Sequence, residues 1–331
     1  MSVAQTRSAL IVPEHGDASV LRVEDQPVPG LSPDQVLVRV AATGVNFIDV
    51  YDRRGTYPHD TPFVLGREGA GVVEQIGAQV TGVSVGDRVA WAMQLGSAAS
   101  LAVLPAQALV PVPEEVDLET AAAVLLQGMT AHFLVNDTFP CGPGTTALVH
   151  AAAGGVGQLL VQLLAEKGAT IIATAGSPEK LELARALGAE HLINYRDHES
   201  PAALAQAVRG AAGGGVDVVY DGVGKSTFDA SLASLRRRGL MVLFGAASGP
   251  VEPFDPQRLN KGGSLYLTRP SLGDYIATRQ ELVGRGRAIL ELVASVKLRL
   301  RVDSRVPLDE AAEAYRALEE RRTSGKVVLI P

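Results

Sequence analysis

The sequence predicts an α/β fold in which a doubly wound parallel sheet is joined to a partly open antiparallel β-barrel. Apolar strands and amphipathic helices alternate from residue 145 to about residue 268, and a glycine-rich turn stands between the first strand and its helix. Short strands between proline and glycine clusters over residues 1–110 predict the barrel. A chain of 331 residues exceeds one ordinary core, which also favours two domains.

Five short stretches near the N-terminus are apolar or alternate between apolar and polar residues, as in β-strands. Proline and glycine residues separate them. They lie at residues 7–12, 20–23, 35–40, 69–77 and 86–90. A helix is expected after them, over residues 114–135.

The middle of the chain predicts six parallel strands wound with helices. These strands lie at residues 145–150, 170–175, 191–195, 216–221, 240–245 and 264–268. Further helices are expected at about 275–296 and 308–320, and residues 326–330 end the chain as a strand. Because this last strand finds no partner in the parallel sheet, we expect the C-terminus to return to the first domain.

The segment from Ala151 to Gly157 has the pattern A-x-x-G-x-x-G, with an alanine in place of the usual first glycine. At a strand-to-helix turn, glycines let the backbone approach a pyrophosphate, and the helix N-terminus attracts its charge. The alternative is a tight turn that only packs the helix on the sheet. The position between a strand and a helix favours dinucleotide binding.

The end of the second parallel strand indicates which dinucleotide is bound. An NAD site places an Asp or Glu at this strand end to bond the ribose 2′-hydroxyl. Here the nearest acid, Glu179, falls inside the next helix, for which Ser177 is the expected N-cap and Pro178 the first residue. The small and hydroxyl groups and Lys180 suit a 2′-phosphate, although Lys180 is alternatively an ordinary solvated lysine. The sequence therefore predicts NADP(H).

Composition excludes several classes of protein. A net charge of −6 with 5% aromatic residues is unlike a nucleic-acid-binding surface. The one cysteine, Cys141, excludes an internal disulfide framework and a cysteine-rich zinc lobe. The N-terminus shows no signal peptide, and glycines and polar residues interrupt every apolar run before membrane-spanning length. The expected compartment is the cytoplasm, with no membrane association.

Seven motifs are spread over the whole chain: G-V-N-F-I-D at 44–49, G-D-R-V at 86–89, the glycine-rich turn, I-N-Y at 193–195, Y-D-G-V-G at 220–224, R-R-G-L-M-V at 237–242 and L-T-R-P-S-L at 267–272. In these motifs the chain resembles the medium-chain dehydrogenase/reductase superfamily. Within it, the chain is similar to the zinc-free quinone oxidoreductases related to zeta-crystallin.

The resemblance implies a GroES-like catalytic domain formed by residues 1–128 and 269–331 and a Rossmann domain formed by residues 129–268. It places NADP(H) in the cleft between them. It also implies a homodimer, which pairs through the last strand of the sheet, residues 264–268. An apolar strand at a sheet edge favours pairing of this kind.

Two positions depart from the zinc alcohol dehydrogenases of the superfamily. Those enzymes have a cysteine where this chain has Asn46, and a histidine where it has Arg67. Zinc requires thiolate, imidazole or carboxylate donors, and an amide and a guanidinium replace two of them here. We therefore expect no metal, and none of the Lewis acidity that alcohol oxidation would use.

Four residues near the N-terminus are candidates for catalysis. The resemblance places Asn46 and Asp49 on the loop that faces the nicotinamide. Asn46 would bond the ribose or polarise a carbonyl, whereas Asp49 either takes part in the reaction or caps a helix. Tyr51 and Tyr57 either donate hydrogen bonds to an acceptor oxygen or pack a loop. No catalytic dyad or triad is expected, because reduction of a quinone or enone yields a delocalised anion.

The resemblance also implies the cofactor contacts. Thr130 is expected near the nicotinamide or a phosphate, the glycine-rich turn at the pyrophosphate, and the end of the second strand around the 2′-phosphate. The residues so implied, besides Asn46, are Thr130, Gly154, Gly155, Val156, Ser177, Lys180, Tyr195, Phe244, Gly245, Ser248, Leu267, Thr268, Arg269, Arg321 and Lys326. Arg321 or Lys326 would reach a phosphate, although Arg321 alternatively belongs to a solvated helix end, and Tyr195 is alternatively an ordinary strand-end aromatic. The chain departs from the subfamily at Gln127, where a lysine is common, and at Gly222, where a serine is common.

Three functions remain open at this stage. The first is NADPH-dependent reduction of quinones, by hydride or by single electrons. The second is NADPH-dependent reduction of the double bond of an alkenal or enone. The third is a non-enzymatic role, as a cofactor-binding crystallin-like or RNA-binding protein, against which the acidic charge balance counts.

Overall fold

The computed structural model describes residues 6–331, which form two compact units. The first unit comprises the chain up to Met129 together with Ile276–Pro331, and the second comprises Thr130–Tyr275. The domain boundaries implied by the resemblance, after residues 128 and 268, stay a prediction.

The N-terminal part of the first unit consists of short strands and two helices. In chain order they are β1 (Thr6–Val12), β2 (Arg22–Pro27), β3 (Gln35–Gly44), α1 (Phe47–Arg53), β4 (Phe63–Val64), β5 (Glu68–Ile76), β6 (Arg88–Ala92), β7 (Leu101–Pro105), β8 (Val110–Pro111) and α2 (Leu118–Phe133). Helix α2 continues into a π-helical turn over Leu134–Thr138.

The second unit alternates strands with helices. In chain order they are β9 (Thr146–Val149), α3 (Gly155–Glu166), β10 (Thr170–Ala175), α4 (Pro178–Ala186), β11 (His191–Asn194), α5 (Pro201–Ala211), β12 (Val216–Asp221), α6 (Phe228–Ser234), β13 (Leu235–Leu243), α7 (Gln257–Lys261), β14 (Tyr266–Thr268) and α8 (Leu272–Tyr275). All six strands pair in parallel, in the order β11-β10-β9-β12-β13-β14. The predicted α/β class is confirmed.

The chain then returns to the first unit through α9 (Arg279–Ala294), β15 (Val302–Pro307), α10 (Ala311–Glu319) and β16 (Lys326–Ile330). Strand β16 pairs with β15 and, antiparallel, with β3. The sheet runs β15-β16-β3-β5-β6-β8, with β7 also on β3, and a second sheet has the order β2-β1-β4. The expected return of the C-terminus to the first domain is therefore confirmed.

Several element boundaries differ from the prediction for local reasons. The strand expected at 20–23 begins at Arg22, because residues 18–20 form a 3₁₀ turn capped by the Asp17 carboxylate. The strand expected at 86–90 begins at Arg88, since Gly86 has a φ of 94°. Strand β15 was missed because its sequence, V-D-S-R-V-P, alternates only between exposed and half-buried residues.

Buried apolar side chains form cores within each unit. One core of the first unit packs β1, α1 and α10 around Tyr315, another surrounds Trp91, and the second unit packs its helices on the parallel sheet. The stretch Leu118–Thr138 is long and apolar enough to cross a membrane, which corrects the expectation that no stretch would be. However, 72% of its apolar window is buried inside the protein, as is typical of a core helix.

Candidate functional site

The glycine-rich turn of the second unit joins β9 to α3. Gly154 is the N-cap of α3 and offers no side chain to the first backbone N–H groups of the helix. A Cβ on Gly157 would lie 2.3 Å from the carbonyl oxygen of Ala151, so the turn packs too closely for any larger residue there. The open N–H groups and the helix dipole make this turn suited to a phosphate.

Ala151 opens the turn in a strained conformation. Its φ is 51°, in the left-handed region that favours glycine, the residue usual at this position. The backbone nevertheless forms the turn, since Gly154 N–H donates to the carbonyl of Ala151 at 2.8 Å. The alanine therefore changes the stability of the turn but preserves its shape.

The end of β10 brings together residues from two parts of the second unit. Ser177 caps α4 and accepts from the backbone N–H of Lys180 at 3.4 Å, with Pro178 in the first turn, as the sequence predicted. A Cβ on Gly176 would lie 2.4 Å from the hydroxyl oxygen of Tyr195 and 3.2 Å from Nε of Arg196. The absence of a side chain at residue 176 thus lets both groups approach the strand end.

Arg196 is the residue at this strand end that sequence reasoning missed. Its side chain is exposed and lies in a 3₁₀ turn directly after β11. Placing Arg196 required knowing that β11 pairs with β10. The two strands pair in parallel, so β11 ends beside residue 176. Lys180 and Arg196 give this strand end two cations, which is the charge that a phosphate monoester requires.

The ends of β12 and β13 form a second turn, organised by the buried carboxylate of Asp221. Asp221 accepts from the backbone N–H groups of Val223 and Gly224 at 2.8 and 3.0 Å, and from hydroxyl groups on α6 and its N-cap. A Cβ on Gly222 would lie 2.8 Å from the ring of Phe244. Glycine at residue 222, where the subfamily commonly has a serine, therefore lets the Phe244 ring pack against the turn.

Most of the remaining candidates of the second unit lie on β14 or after β13, and Thr130 lies in helix α2. Ser248 Oγ donates to the carbonyl of Val223 at 2.7 Å, and Gly245 packs against Gly222, where a Cβ would meet the carbonyl oxygen at 2.5 Å. The others occupy β14, the residue after it and the second half of α2: Leu267, Thr268, Arg269 and Thr130. Carboxyl ends of parallel strands share one edge of a sheet, where open α/β folds bind ligands.

The first unit contains a buried polar network centred on Asn46. The Asn46 amide nitrogen donates to the carbonyl of Gly44 at 3.0 Å and to Glu68 Oε2 at 2.9 Å. Its oxygen accepts from Lys326 Nζ at 2.8 Å and from Gln127 Nε2 at 3.3 Å. All four hydrogen-bonding positions of the amide are therefore used, and Asn46 as it stands has no donor left to polarise a carbonyl.

Glu68 and Lys326 form the ion pair of this network, with Nζ 2.7 Å from Oε2 and both side chains at most 1% exposed. The other carboxylate oxygen of Glu68 accepts from the backbone N–H of Leu126 at 2.6 Å. A Cβ on Gly44 would lie 2.3 Å from Oε2 of Glu68, so only glycine leaves room for the pair. Both charges of the pair are thus satisfied within the network, and the cofactor contact expected of Lys326 stays a prediction.

Asp49 caps α1 and is fully buried. It accepts from the backbone N–H of Asn46 at 2.8 Å in a capping box, and from the hydroxyl of Tyr315 at 3.0 Å. Burial raises the pKa of the Asp49 carboxyl to about 7, while these hydrogen bonds oppose that shift. The same burial, together with the neighbouring Asp49 charge, raises the pKa of Tyr315. Of the two roles predicted for Asp49, these contacts support the role of helix cap.

A second polar cluster lies beside α1. The buried carboxylate of Asp52 accepts from Nε and Nη2 of Arg67, at 2.5 and 2.9 Å, and lies 2.9 Å from Nε2 of His59. Tyr51 and Tyr57 lie nearby, with their rings 5.6 Å apart in an edge-to-face arrangement. Tyr57 is 38% exposed and Tyr51 is half-buried. Arg321 is exposed and follows α10, with a φ of 60°.

Two family models match this chain. The alcohol dehydrogenase GroES-like domain matches residues 32–114, and the zinc-binding dehydrogenase domain matches residues 155–282. The second of these families is named for zinc binding, but the side chains at Asn46, Arg67 and Lys326 do not fit a zinc site. Asn46 is bonded on all sides, Arg67 is a cation bound to Asp52, and the ammonium of Lys326 lies between Asn46 and Glu68. Within residues 6–331, no group of three His, Cys, Asp or Glu side chains is placed to hold a metal.

Proteins similar to this chain along nearly its whole length are known. A quinone oxidoreductase of Pseudomonas aeruginosa is 43% identical over 96% of this chain and 97% of its own. A 2-haloacrylate reductase of a Burkholderia species is 39% identical over 98% of each chain. The solved structure of a mycobacterial protein complexed with NADPH matches with a TM-score of 0.95 and 46% identity, over 98% of this chain and 100% of that one.

Proposed function

Because the chain belongs to the medium-chain dehydrogenase/reductase superfamily and there to the quinone oxidoreductases, we propose that it is an NADPH-dependent quinone reductase that transfers hydride or single electrons without a metal. The observation that carries the proposal is the pair of phosphate-binding elements in the second unit. The glycine-rich turn suits a pyrophosphate, and the end of β10 suits a 2′-phosphate.

The residues of the second unit fit NADP(H) in two places. Gly155 and Val156 would offer backbone N–H groups to the pyrophosphate at the start of α3, and Gly154, whose own N–H donates to Ala151, leaves that start without a side chain. Ser177 and Lys180 would hold the 2′-phosphate, with Tyr195 at the same strand end. When bound, the nicotinamide supplies the reducing equivalent, and the protein provides binding and orientation.

The first unit contributes hydrogen bonding and shape. Tyr51 and Tyr57 are the proposed hydrogen-bond donors to an oxygen of the acceptor. Tyr51 is half-buried on α1, and Tyr57 is exposed shortly after this helix. Asn46 holds its network together and does not act on the acceptor itself, because its amide is saturated. A strong acid is not required, since reduction of a quinone gives a delocalised anion.

A panel of benzoquinones and naphthoquinones tests the proposal. We expect NADPH oxidation, followed by the absorbance of the reduced nicotinamide, to require both enzyme and quinone. Lys180→Ala should raise the KM for NADPH and leave the KM for the quinone unchanged. If no quinone in the panel oxidises NADPH, the proposed activity is wrong.

A second candidate, reduction of an activated double bond, is favoured by the 2-haloacrylate reductase at 39% identity. Both reactions use the same reduced cofactor and an electron-poor acceptor. Product analysis with α,β-unsaturated carbonyl compounds separates them, because this candidate requires a saturated carbonyl product.

We also propose a homodimer in the cytoplasm. Strand β14 is an edge of the parallel sheet, and Tyr266 on it is 60% exposed. An edge strand with an exposed aromatic side chain favours pairing with a second copy.

A further inference from the structure

The guanidinium of Arg67 is held in one orientation. Its Nε and Nη2 donate to the two carboxylate oxygens of Asp52 at 2.5 and 2.9 Å, and Nη2 also lies 3.0 Å from Nε2 of His59. The Asp52 carboxylate is fully buried, so losing this partner would leave an uncompensated charge inside the protein. A bidentate pair of this kind fixes both the position and the plane of the guanidinium.

The third nitrogen of Arg67, Nη1, is not used by this pair. No residue between 6 and 331 accepts a hydrogen bond from it. Unlike Nη1 of Arg53, it is not a buried atom without a partner, so it belongs to the 14% of the Arg67 side chain that is exposed. Arg67 therefore presents two N–H donors of a permanently charged group to any ligand at this surface.

Arg67 lies in the same cluster as Tyr51 and Tyr57. The backbone N–H of Tyr57 donates to the carbonyl of Tyr51 at 3.2 Å, which folds the loop after α1 back onto this helix. The pKa of Arg67 reflects this proximity: burial lowers it, but the hydrogen bonds and charge of Asp52 raise it, and so does the ionised Tyr57 hydroxyl. An acceptor that hydrogen-bonds to Tyr57 is therefore within the electrostatic reach of Arg67.

We propose that Nη1 of Arg67 donates a hydrogen bond to the oxygen of the acceptor that becomes negatively charged during reduction. A hydride carries one proton and two electrons. Its transfer to a quinone or enone leaves an electron pair largely on a carbonyl oxygen, until a proton from water neutralises it. A guanidinium does not give up a proton, so Arg67 stabilises this charge and does not act as an acid.

The charge of the pair favours an acceptor that is neutral before the reaction. Asp52 already balances the charge of Arg67, so a permanent anion gains little from long-range attraction. An N–H donor of a charged group nevertheless binds an anionic oxygen more strongly than a neutral carbonyl. The inference rests on the proposed function for the identity of the ligand, but binding of an anionic oxygen needs no cofactor.

4-Nitrophenol tests the inference without NADPH. Its hydroxyl ionises near neutral pH, and its anion absorbs visible light whereas the neutral form does not. Absorbance titrations on either side of this ionisation give separate affinities for the phenol and the phenolate. We expect the wild-type protein to bind the phenolate about three- to ten-fold more tightly, the difference between a charged and a neutral hydrogen bond. Binding of 4-nitroanisole, which cannot ionise, should not change over the same pH range.

Arg67→Lys separates this role from the structural role of Arg67. The ammonium of the lysine still pairs with buried Asp52, but it offers no second nitrogen to the acceptor. This variant should bind phenol and phenolate equally. Its kcat with a quinone should fall about ten- to hundred-fold while the KM for NADPH stays unchanged. Arg39→Lys, at an exposed arginine paired with Glu74, is the matched control and should change none of these values.

A second variant keeps the inference testable if Arg67→Lys does not fold. Asp52→Asn combined with Arg67→Gln replaces the ion pair by two amides and leaves no buried charge, and it should also lose the preference for the phenolate. Equal binding of phenol and phenolate by the wild type would overturn the inference, as would a variant that keeps the wild-type preference. If Arg67 recognises the phenolate but no quinone or enone is reduced, the proposed function fails and the anion site stands.

Discussion

Asp49 couples stability to pH because its carboxyl group is buried in the native state. Burial raises its pKa to about 7, from 3.8 in an unfolded chain. Between these values the native state binds more protons than the unfolded state, so the stability contributed by Asp49 is complete below about pH 4 and is lost as the pH rises through 7. We expect a loss on the order of 4 kcal/mol across this window.

The variant Asp49→Asn should remove that dependence, because its amide oxygen can still accept from Asn46 N–H and Tyr315 but does not ionise. Denaturant unfolding of both proteins between pH 4 and 8 measures the difference. Asp117→Asn is the control: hydrogen bonds from Thr120 lower the pKa of Asp117, so its effect lies below pH 4. Parallel pH profiles for wild type and Asp49→Asn would show that Asp49 ionises normally.

Lys180 and Arg196 should together set the preference for NADPH over NADH. A phosphate monoester between two cations gains charge-assisted hydrogen bonds that NADH cannot form. We expect NADPH to bind at least about tenfold more tightly, a difference on the order of 1.4 kcal/mol. Lys180→Ala should lose most of this preference, and Lys180→Ala combined with Arg196→Ala should abolish it.

Titration of cofactor fluorescence with each nucleotide measures this preference. The matched control is Arg185→Ala, which removes an exposed cation from the same helix, where it pairs with Glu182. Its NADPH-to-NADH ratio should equal that of the wild type. Equal affinity of the wild-type protein for both nucleotides would overturn the assignment of Ser177 and Lys180.

At the scale of elements, the turn between β9 and α3 stores strain at Ala151. An alanine in the left-handed conformation costs about 1–2 kcal/mol. Replacing it by glycine removes this cost, but the greater conformational entropy of glycine in the unfolded chain offsets part of the gain. Ala151→Gly should therefore stabilise the second unit by about 0.5–1 kcal/mol, as measured by chemical denaturation. Ala152→Gly, the buried neighbour without a positive φ, should destabilise it. A destabilising Ala151→Gly would mean that the strain is absent.

Short sequence motifs were enough to predict those features that a few adjacent residues determine. The glycine-rich turn and the Ser177 cap were predictable because a few adjacent residues determine them. The partners of Asn46 were not, since Lys326 lies 280 residues away and reaches Asn46 only because β16 pairs with β3. Arg196 was missed for the same reason. The burial of Lys326 in this network likewise has no signal in the residues next to it in the chain.

At the scale of the whole molecule, the exposed edge of the parallel sheet determines the expected assembly. Strand β14 has unpaired backbone groups along its outer side, and no charged side chain within Tyr266–Thr268 discourages pairing. We therefore expect a dimer of twice the 34.6 kDa chain, measured by light scattering after size-exclusion chromatography. Tyr266→Lys combined with Thr268→Lys should yield monomers, because like charges would then face each other across the joined edge.

The opposite edge of the same sheet provides the control. Strand β11 is also an edge, and its first residue, His191, is half-buried. His191→Lys adds a charge to the sheet without touching β14, so it should leave the dimer intact. If His191→Lys dissociates the dimer and the β14 variant does not, the copies pair through β11. If neither does, the dimer uses a surface other than a sheet edge, and the exposure of Tyr266 requires another explanation.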